Sequence, residues 1–294
     1  MTPGALVMEC RVDGMVPPRC GGGLGQAIPA PRRAIGVAWL TVSCLVTGGC
    51  ATVGGTAPLG RQAVIDRIVS ASAKVILERG GQRLGSGSGT VVGSRPPRPG
   101  VEAVSYILTA AHVLESKGKA EVFVRFTGGY AKQGKLAATI LRRGSADTLD
   151  LALLRVAGIT VPAIPLADAQ DIRLGQAILL VGFPWGKRLG LFSGIVSQVP
   201  AGGSEAVSDE GTEQTMVVDA SSAKGVSGGG VFREATGSLV GIVEGYQTAS
   251  IALKESSRTY SVKVPLPGET FVIPITRIRQ FLDEAGIAGG QVPP

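Results

Sequence analysis

Lys224-Gly225-Val226-Ser227-Gly228-Gly229-Gly230 is the stretch on which the reading of this chain turns. One hydroxyl stands among four glycines, so the backbone around it can approach a ligand closely. A serine hydroxyl is a poor nucleophile unless a neighbouring imidazole accepts its proton. The chain has one histidine, His112, in Ile107-Leu108-Thr109-Ala110-Ala111-His112-Val113, an apolar strand pattern that ends in small residues. An imidazole in that role needs a carboxylate to fix its tautomer and stabilise the imidazolium. Asp150, in Thr148-Leu149-Asp150-Leu151-Ala152-Leu153-Leu154, heads a strongly apolar run and is preferred to nearby Asp147 for that reason. Taken singly, each residue has an ordinary reading as a structural histidine, a turn aspartate and a turn serine. Only their joint occurrence points to chemistry.

The composition agrees with a folded all-β chain. Of 294 residues, 44% are hydrophobic and 17% charged, which excludes a disordered or nucleic-acid-tail composition. Gly at 44 and Pro at 18 suit many short strands with turns rather than a helical bundle. A single histidine excludes a His-rich metal site. The formal charge of +7 is spread without a basic run, so it argues solubility and a mild affinity for anionic surfaces. Nucleic acid is not an expected partner.

The front of the chain reads as a targeting segment. Cys10, Cys20, Cys44 and Cys50 all precede residue 51, so the folded part has neither disulfide nor thiolate chemistry. Arg32-Arg33 precede an apolar run from Ala34 to Val46 that closes in Thr47-Gly48-Gly49-Cys50-Ala51. A positive start, a short apolar core and small closing residues describe a secretory signal. The ending resembles a bacterial lipoprotein signal, which implies lipidation at Cys50, although Thr47 stands where such signals usually carry Leu. Ordinary cleavage or an uncleaved anchor is the other reading, and Cys44 is a poorer acceptor. Residues 1–30 are an unusual extension ahead of a signal, with Met15 as an alternative start. An exported protein of the bacterial cell envelope, lipid-anchored and facing the periplasm or the exterior, is the expected location.

Beyond the signal, 51–60 reads as a flexible tether and 61–288 as the folded domain. A short helical spacing covers Arg61 to Val69. Twelve β-like runs follow in two comparable sets. The first is Ala73–Glu78, Gly89–Val92, Ser105–Thr109, Glu121–Phe126, Leu136–Leu141 and Leu151–Val156. The second is Ala177–Val181, Gly190–Val199, Thr215–Asp219, Gly230–Arg233, Leu239–Glu244 and Thr270–Ile273. That count predicts two small antiparallel barrels, 70–158 and 172–274, joined by a linker over 159–171. A helix over 275–285 closes the fold, with Ile275, Ile278, Phe281 and Leu282 on one face, and 289–294 is a tail. No stretch for a further peptide-binding module is expected after it.

Thr-Ala-Ala-His, Asp-Leu-Ala-Leu and Gly-Val-Ser-Gly-Gly, in the order His, Asp, Ser, resemble the three signature segments of trypsin-like (chymotrypsin-fold) serine proteases. Gly85-Ser86-Gly87-Ser88-Gly89-Thr90, Leu108 to Val113 and the lack of cysteines in the folded part resemble the bacterial Deg/HtrA-like branch more narrowly, and the likeness runs from about Ile65 to Leu282. The resemblance implies two six-stranded antiparallel barrels with a cleft between them. It implies His112 as general base, Asp150 as its orienting partner and Ser227 as nucleophile, with the N–H groups of Gly225 and Ser227 as oxyanion hole. It implies no metal or cofactor, and protein or peptide substrates. The oligomeric state is left open.

Departures from the pattern matter as much. Val226 replaces the acid that pairs with a new N-terminus in digestive relatives, so that activation route is absent. Gly230 stands where Deg relatives carry Pro. Ser221, six residues before the nucleophile, lies where the resemblance places the base of the primary pocket, so a demand for Arg or Lys is not expected. A small or medium apolar side chain is. Val243, Glu244 and Tyr246 are expected to form the pocket wall and the edge that pairs with substrate backbone. Phe183-Pro184-Trp185-Gly186 resembles a Deg segment that shapes the second barrel and is assigned no chemistry. The leading expectation is a serine endopeptidase of exported or unfolded proteins. The alternative is a catalytically silent binding or sensing module of the same fold.

Overall fold

A computed structural model describes residues 8–11, 60–145, 149–168, 170, 172–200, 215–255 and 258–287. The signal-like segment with Cys50, the tether, Asp147 and the tail lie outside the described residues.

A short strand β1 (Met8–Arg11) and helix α1 (Arg61–Ser70) precede the first barrel. The barrel comprises β2 (Ser72–Arg79), β3 (Gln82–Arg95), β4 (Val104–Thr109), β5 (Glu121–Phe126), β6 (Leu136–Arg143) and β7 (Ala152–Ala157). Its strands close in the order β2-β3-β4-β7-β6-β5, all antiparallel. Strand β4 is buried at every position, because one face meets the barrel interior and the other is covered. The Ser105 hydroxyl shows how: it donates to Ile159 O at 2.9 Å and accepts from Val161 N–H at 2.9 Å, fastening the linker across the strand.

The second barrel comprises β8 (Ala177–Gly182), β9 (Gly190–Gln198), β10 (Met216–Asp219), β11 (Gly230–Arg233), β12 (Leu239–Glu255) and β13 (Arg258–Pro274). It runs β12-β11-β8-β9-β10-β13 and closes through β12–β13, with β1 added alongside the far end of β12. The fold is therefore the pair of six-stranded antiparallel barrels that the pattern predicts. Each of the twelve expected runs contains a strand.

Three strands far exceed their expected length: β3, which runs over Gln82–Arg95 where the sequence pattern predicts Gly89–Val92, and β12 and β13. Beyond the barrel, β12 and β13 continue as a hairpin paired from Thr248↔Pro265 to Glu255↔Arg258. Tyr260, Val262 and Val264 alternate with Ser261 and Lys263, but Tyr260 and Val262 are exposed, so the alternation marks no buried face, and Pro265, Pro267 and Gly268 read as breakers. Backbone pairing carries that arm.

Helix α2 (Ile275–Glu284) follows the second barrel yet buries Ile275, Ile278, Phe281 and Leu282 in a core shared with the first. Its last turn ends on Gly286 at φ 75°, where Ile287 N–H returns to Leu282 O at 2.9 Å. Across the interface the Arg142 guanidinium of β6 lies 5.0 Å over the Phe281 ring, and Arg279 donates to Ala167 O of the linker at 2.8 Å.

Candidate active site

Strand β4 ends at Thr109 and the chain turns into one 3-10 turn, Ala111–Leu114, that carries His112. Neighbouring β7 pairs with β4 in the register Thr109↔Ala152, so Asp150, two residues ahead, arrives opposite the turn. The carboxylate then holds His112 at two points. Oδ1 accepts the His112 backbone N–H at 2.8 Å, and Oδ2 lies 2.5 Å from Nδ1. Asp150 is 4% exposed and His112 is half-buried, so the pair is shielded while the ring edge remains reachable. With Nδ1 engaged, Nε2 is the nitrogen left for proton transfer.

This arrangement raises the His112 pKa above the usual imidazole value. The hydrogen bond to Asp150 is the main cause; burial opposes it, and the negative charges of Asp150, Glu115 and Glu244 add to it. Glu244 is a half-buried residue of β12 at a register shift between Val243 and Gly245. Its own pKa is raised, chiefly by burial and next by the Asp150 charge, against the attraction of His112 and Arg277. A shift of that kind can re-aim a side chain, and here the electrostatics couple it to the His–Asp pair.

The Ser227 loop is fixed by its carbonyls. Lys224 O accepts from Trp185 N–H at 2.6 Å, Gly225 O from the Ser88 hydroxyl at 2.8 Å, and Val226 O from Gly229 N–H at 2.8 Å. In a planar trans peptide the N–H points opposite to the carbonyl it shares a plane with. The N–H groups of Gly225 and Ser227 are therefore turned away from these contacts. Among the described residues neither donates to another group, whereas Val226 N–H donates to Ala223 O and Gly228 N–H to Val243 O. Gly225 takes φ 95° and Gly228 φ 81°. A methyl on Gly228 would come within 2.2 Å of Ser88 O and 2.9 Å of Ala110 N, so only glycine lets this loop lie against the histidine turn. Ser227 O in turn accepts from Ser88 N–H at 2.8 Å.

The loop, the histidine turn and Asp150 are thus assembled at one edge of the inter-barrel contact. Among the described residues no hydrogen bond joins the Ser227 hydroxyl to the imidazole. Contacts of that kind are often loose without substrate. Of the expected pocket residues, Val243 is buried, with its N–H and C=O bonded to Gly229 and Gly228 at 2.8 Å each. Ser221 is exposed and Tyr246 half-buried. The Ser222 hydroxyl beside Ser221 is buried and has no partner among the described residues. Among those residues, too, no cluster of three or more His, Cys, Asp or Glu is placed to hold a metal ion, and no helix is long and apolar enough to cross a membrane.

Ser88 is the residue that sequence reasoning missed. It is 1% exposed on β3, and its hydroxyl bonds both Gly225 O and Phe183 N–H, at 2.8 and 2.9 Å. Thr109 Oγ1 donates to its carbonyl at 2.7 Å. The available signal was Gly87-Ser88-Gly89: a Cβ on either glycine would meet Val113 or Ile107 side chains within 2.6 Å, marking a strand that other segments crowd.

The sequence pattern of the family described as "Trypsin-like peptidase domain" matches residues 87–242. The chain is 31% identical over 138 residues to "Serine endoprotease DegS" of Haemophilus influenzae, covering 47% of this chain and 37% of that protein. It is 31% identical over 159 residues to "Periplasmic pH-dependent serine endoprotease DegQ" of Escherichia coli, covering 54% of this chain and 30% of that protein. These matches span about a third of each relative's own length. The crystal structure of the serine endoprotease from Yersinia pestis shares the fold, with a TM-score of 0.55 at 21% identity over 78% of this chain and 67% of that one.

Proposed function

The chain belongs to the trypsin-like peptidase family, and on that premise we propose that it is a serine endopeptidase that cleaves exported or unfolded proteins through an acyl-enzyme. One observation carries the reading: a buried carboxylate clasps the only imidazole while two uncommitted amides flank the serine of a loop pressed against that imidazole's turn.

In this mechanism His112 Nε2 takes the proton of Ser227 as the hydroxyl oxygen attacks the scissile carbonyl carbon. The negative charge that develops on the carbonyl oxygen is met by the N–H groups of Gly225 and Ser227; one such donor is worth about 10²–10³ in rate. The tetrahedral adduct collapses, the C–N bond breaks, and His112 hands its proton to the departing amine. Water, activated by the same imidazole, then hydrolyses the ester. Asp150 holds the ring and offsets the imidazolium charge. The acyl half of the substrate pairs with the β12 edge beyond Val243, whose own N–H and C=O are taken by Gly229 and Gly228, and a small or medium apolar side chain occupies the pocket next to Ser221. The enzyme works in the cell envelope, anchored through a lipid on Cys50, in keeping with the signal-like segment.

A fluorophosphonate probe tests the site directly. Wild-type chain is expected to be labelled on Ser227 and to degrade an unfolded protein, and Ser227→Ala to do neither. A folded wild-type chain that takes no label would leave only a silent binding module of the same fold.

A further inference from the structure

We propose that the cavity beside Gly225 is a carboxylate-binding subsite for the part of the substrate on the leaving-group side of the cleaved bond. The assignment rests on the endopeptidase reading above. The cavity measures about 380 Å³ and lies between three segments: Arg83 to Ser86 of β3, the turn Trp185-Gly186, and Lys224-Gly225. Two of its side chains are cationic and none is acidic.

The positive charge has no internal counterweight. Lys74, half-buried against the same turn, donates to Gly186 O, and its pKa is lowered by burial and then by the charges of Arg83 and Arg125. Among the described residues none of Lys74, Arg83, Arg125 or Lys224 forms an ion pair; the carboxylates that do, such as Glu78 with Lys135, sit elsewhere. Cations gathered without a partner repel one another, and a visiting anion relieves that repulsion. Arg83 is held in place by its own hydrogen bond to the Ser86 hydroxyl, at 2.8 Å.

Trp185 supplies a second independent feature. It is 62% exposed and takes φ 56°, a backbone conformation that costs energy for any residue but glycine. Its N–H is tied to Lys224 O, so the strained turn and the serine loop form the two walls of one cavity. An exposed indole there gives the bound chain a flat apolar contact beside the cations.

Position decides which part of a substrate arrives. Ser227 lies between two neighbours: on one side Gly228 and Gly229 bond Val243 of β12, and on the other Gly225 abuts Phe183 and Trp185. A peptide whose acyl half follows the β12 edge must therefore carry its leaving half over Gly225 toward Arg83 and Lys224. An Asp or Glu side chain just past the cleaved bond, or a terminal carboxylate at the same place, supplies the matching charge.

The test uses the full chain carrying Ser227→Ala, with peptides that share one acyl half. One arm has Glu at the first or second position past the scissile bond and an amidated end, one has Ala there and an amidated end, and one ends at that position in a free carboxylate. Binding is read from tryptophan fluorescence and by calorimetry. Charge-assisted contacts at a partly exposed site predict about tenfold tighter binding of a carboxylate arm than of the neutral arm, weakening as salt rises. Arg83→Ala with Lys224→Ala abolishes the difference. Preference for the Glu arm identifies a side-chain subsite, and preference for the free-carboxylate arm a terminal one. Equal binding of all three arms, or no detectable binding of any, overturns the proposal. Probe labelling of the wild-type chain decides the endopeptidase reading separately, so the two can fail independently.

Discussion

His112 and Glu244 titrate in each other's field and in that of the Asp150 carboxylate, and the direction of each of their two shifts makes a prediction. In the proposed mechanism His112 must be neutral to take a proton, and its pKa is raised above about 6.5, first by the Asp150 hydrogen bond. The acidic limb of kcat/KM is therefore expected above that of an isolated imidazole. Glu244→Gln removes one of the charges that favour the imidazolium, so the limb moves to lower pH while the maximal rate is largely kept; a pH–rate profile reads both. Asp150→Asn leaves the ring in the wrong tautomer and lowers kcat by about 10⁴. Stability follows the same signs. A group with a raised folded pKa contributes stability below its unfolded value and loses it as pH rises through the folded one. Both His112 and Glu244 are of that kind. Glu244→Gln is thus expected to raise Tm at pH 8 and not at pH 4, checked by thermal melts at the two pH values.

At the scale of elements, Ser88 is where β3 hydrogen-bonds the second barrel. Ser88 lends its N–H to Ser227 O, its hydroxyl to Gly225 O and Phe183 N–H, and its carbonyl to Thr109. Ser88→Ala leaves a buried carbonyl and a buried N–H without partners, a loss of about 2–3 kcal/mol measurable by urea denaturation. The same substitution frees Gly225 O, and with it the orientation of the loop that carries Ser227. Labelling by a fluorophosphonate should slow by more than the stability loss accounts for, because the folded fraction stays near one.

At the scale of the whole molecule, one apolar cluster runs from α1 and the first barrel through Leu179, Val181 and Phe232 of the second to the face of α2. The barrels are therefore packed as one unit, and α2 clamps them from outside. Phe281 is 2% exposed and lies under Arg142, so Phe281→Ala should cost about 3–5 kcal/mol. Because the cluster is shared, the expected result is a single unfolding transition at lower denaturant, not the separate loss of one barrel. Two transitions in Phe281→Ala would contradict that coupling.

Local pattern alone determined the twelve strands, the amphipathic face of α2 and the three segments bearing His112, Asp150 and Ser227, because periodicity, turn residues and glycine requirements are carried within a few neighbours. The expected pocket wall was legible only as a stretch of strand. What Glu244 faces, which amides of the serine loop stay free, and why Arg83, Trp185 and Lys224 enclose one cavity are settled by contacts between residues far apart in the chain. Ser88 makes the contrast plain: as a letter it is a small polar residue between glycines, and only the closure of one barrel against the other turns its hydroxyl into the bond that holds the Ser227 loop.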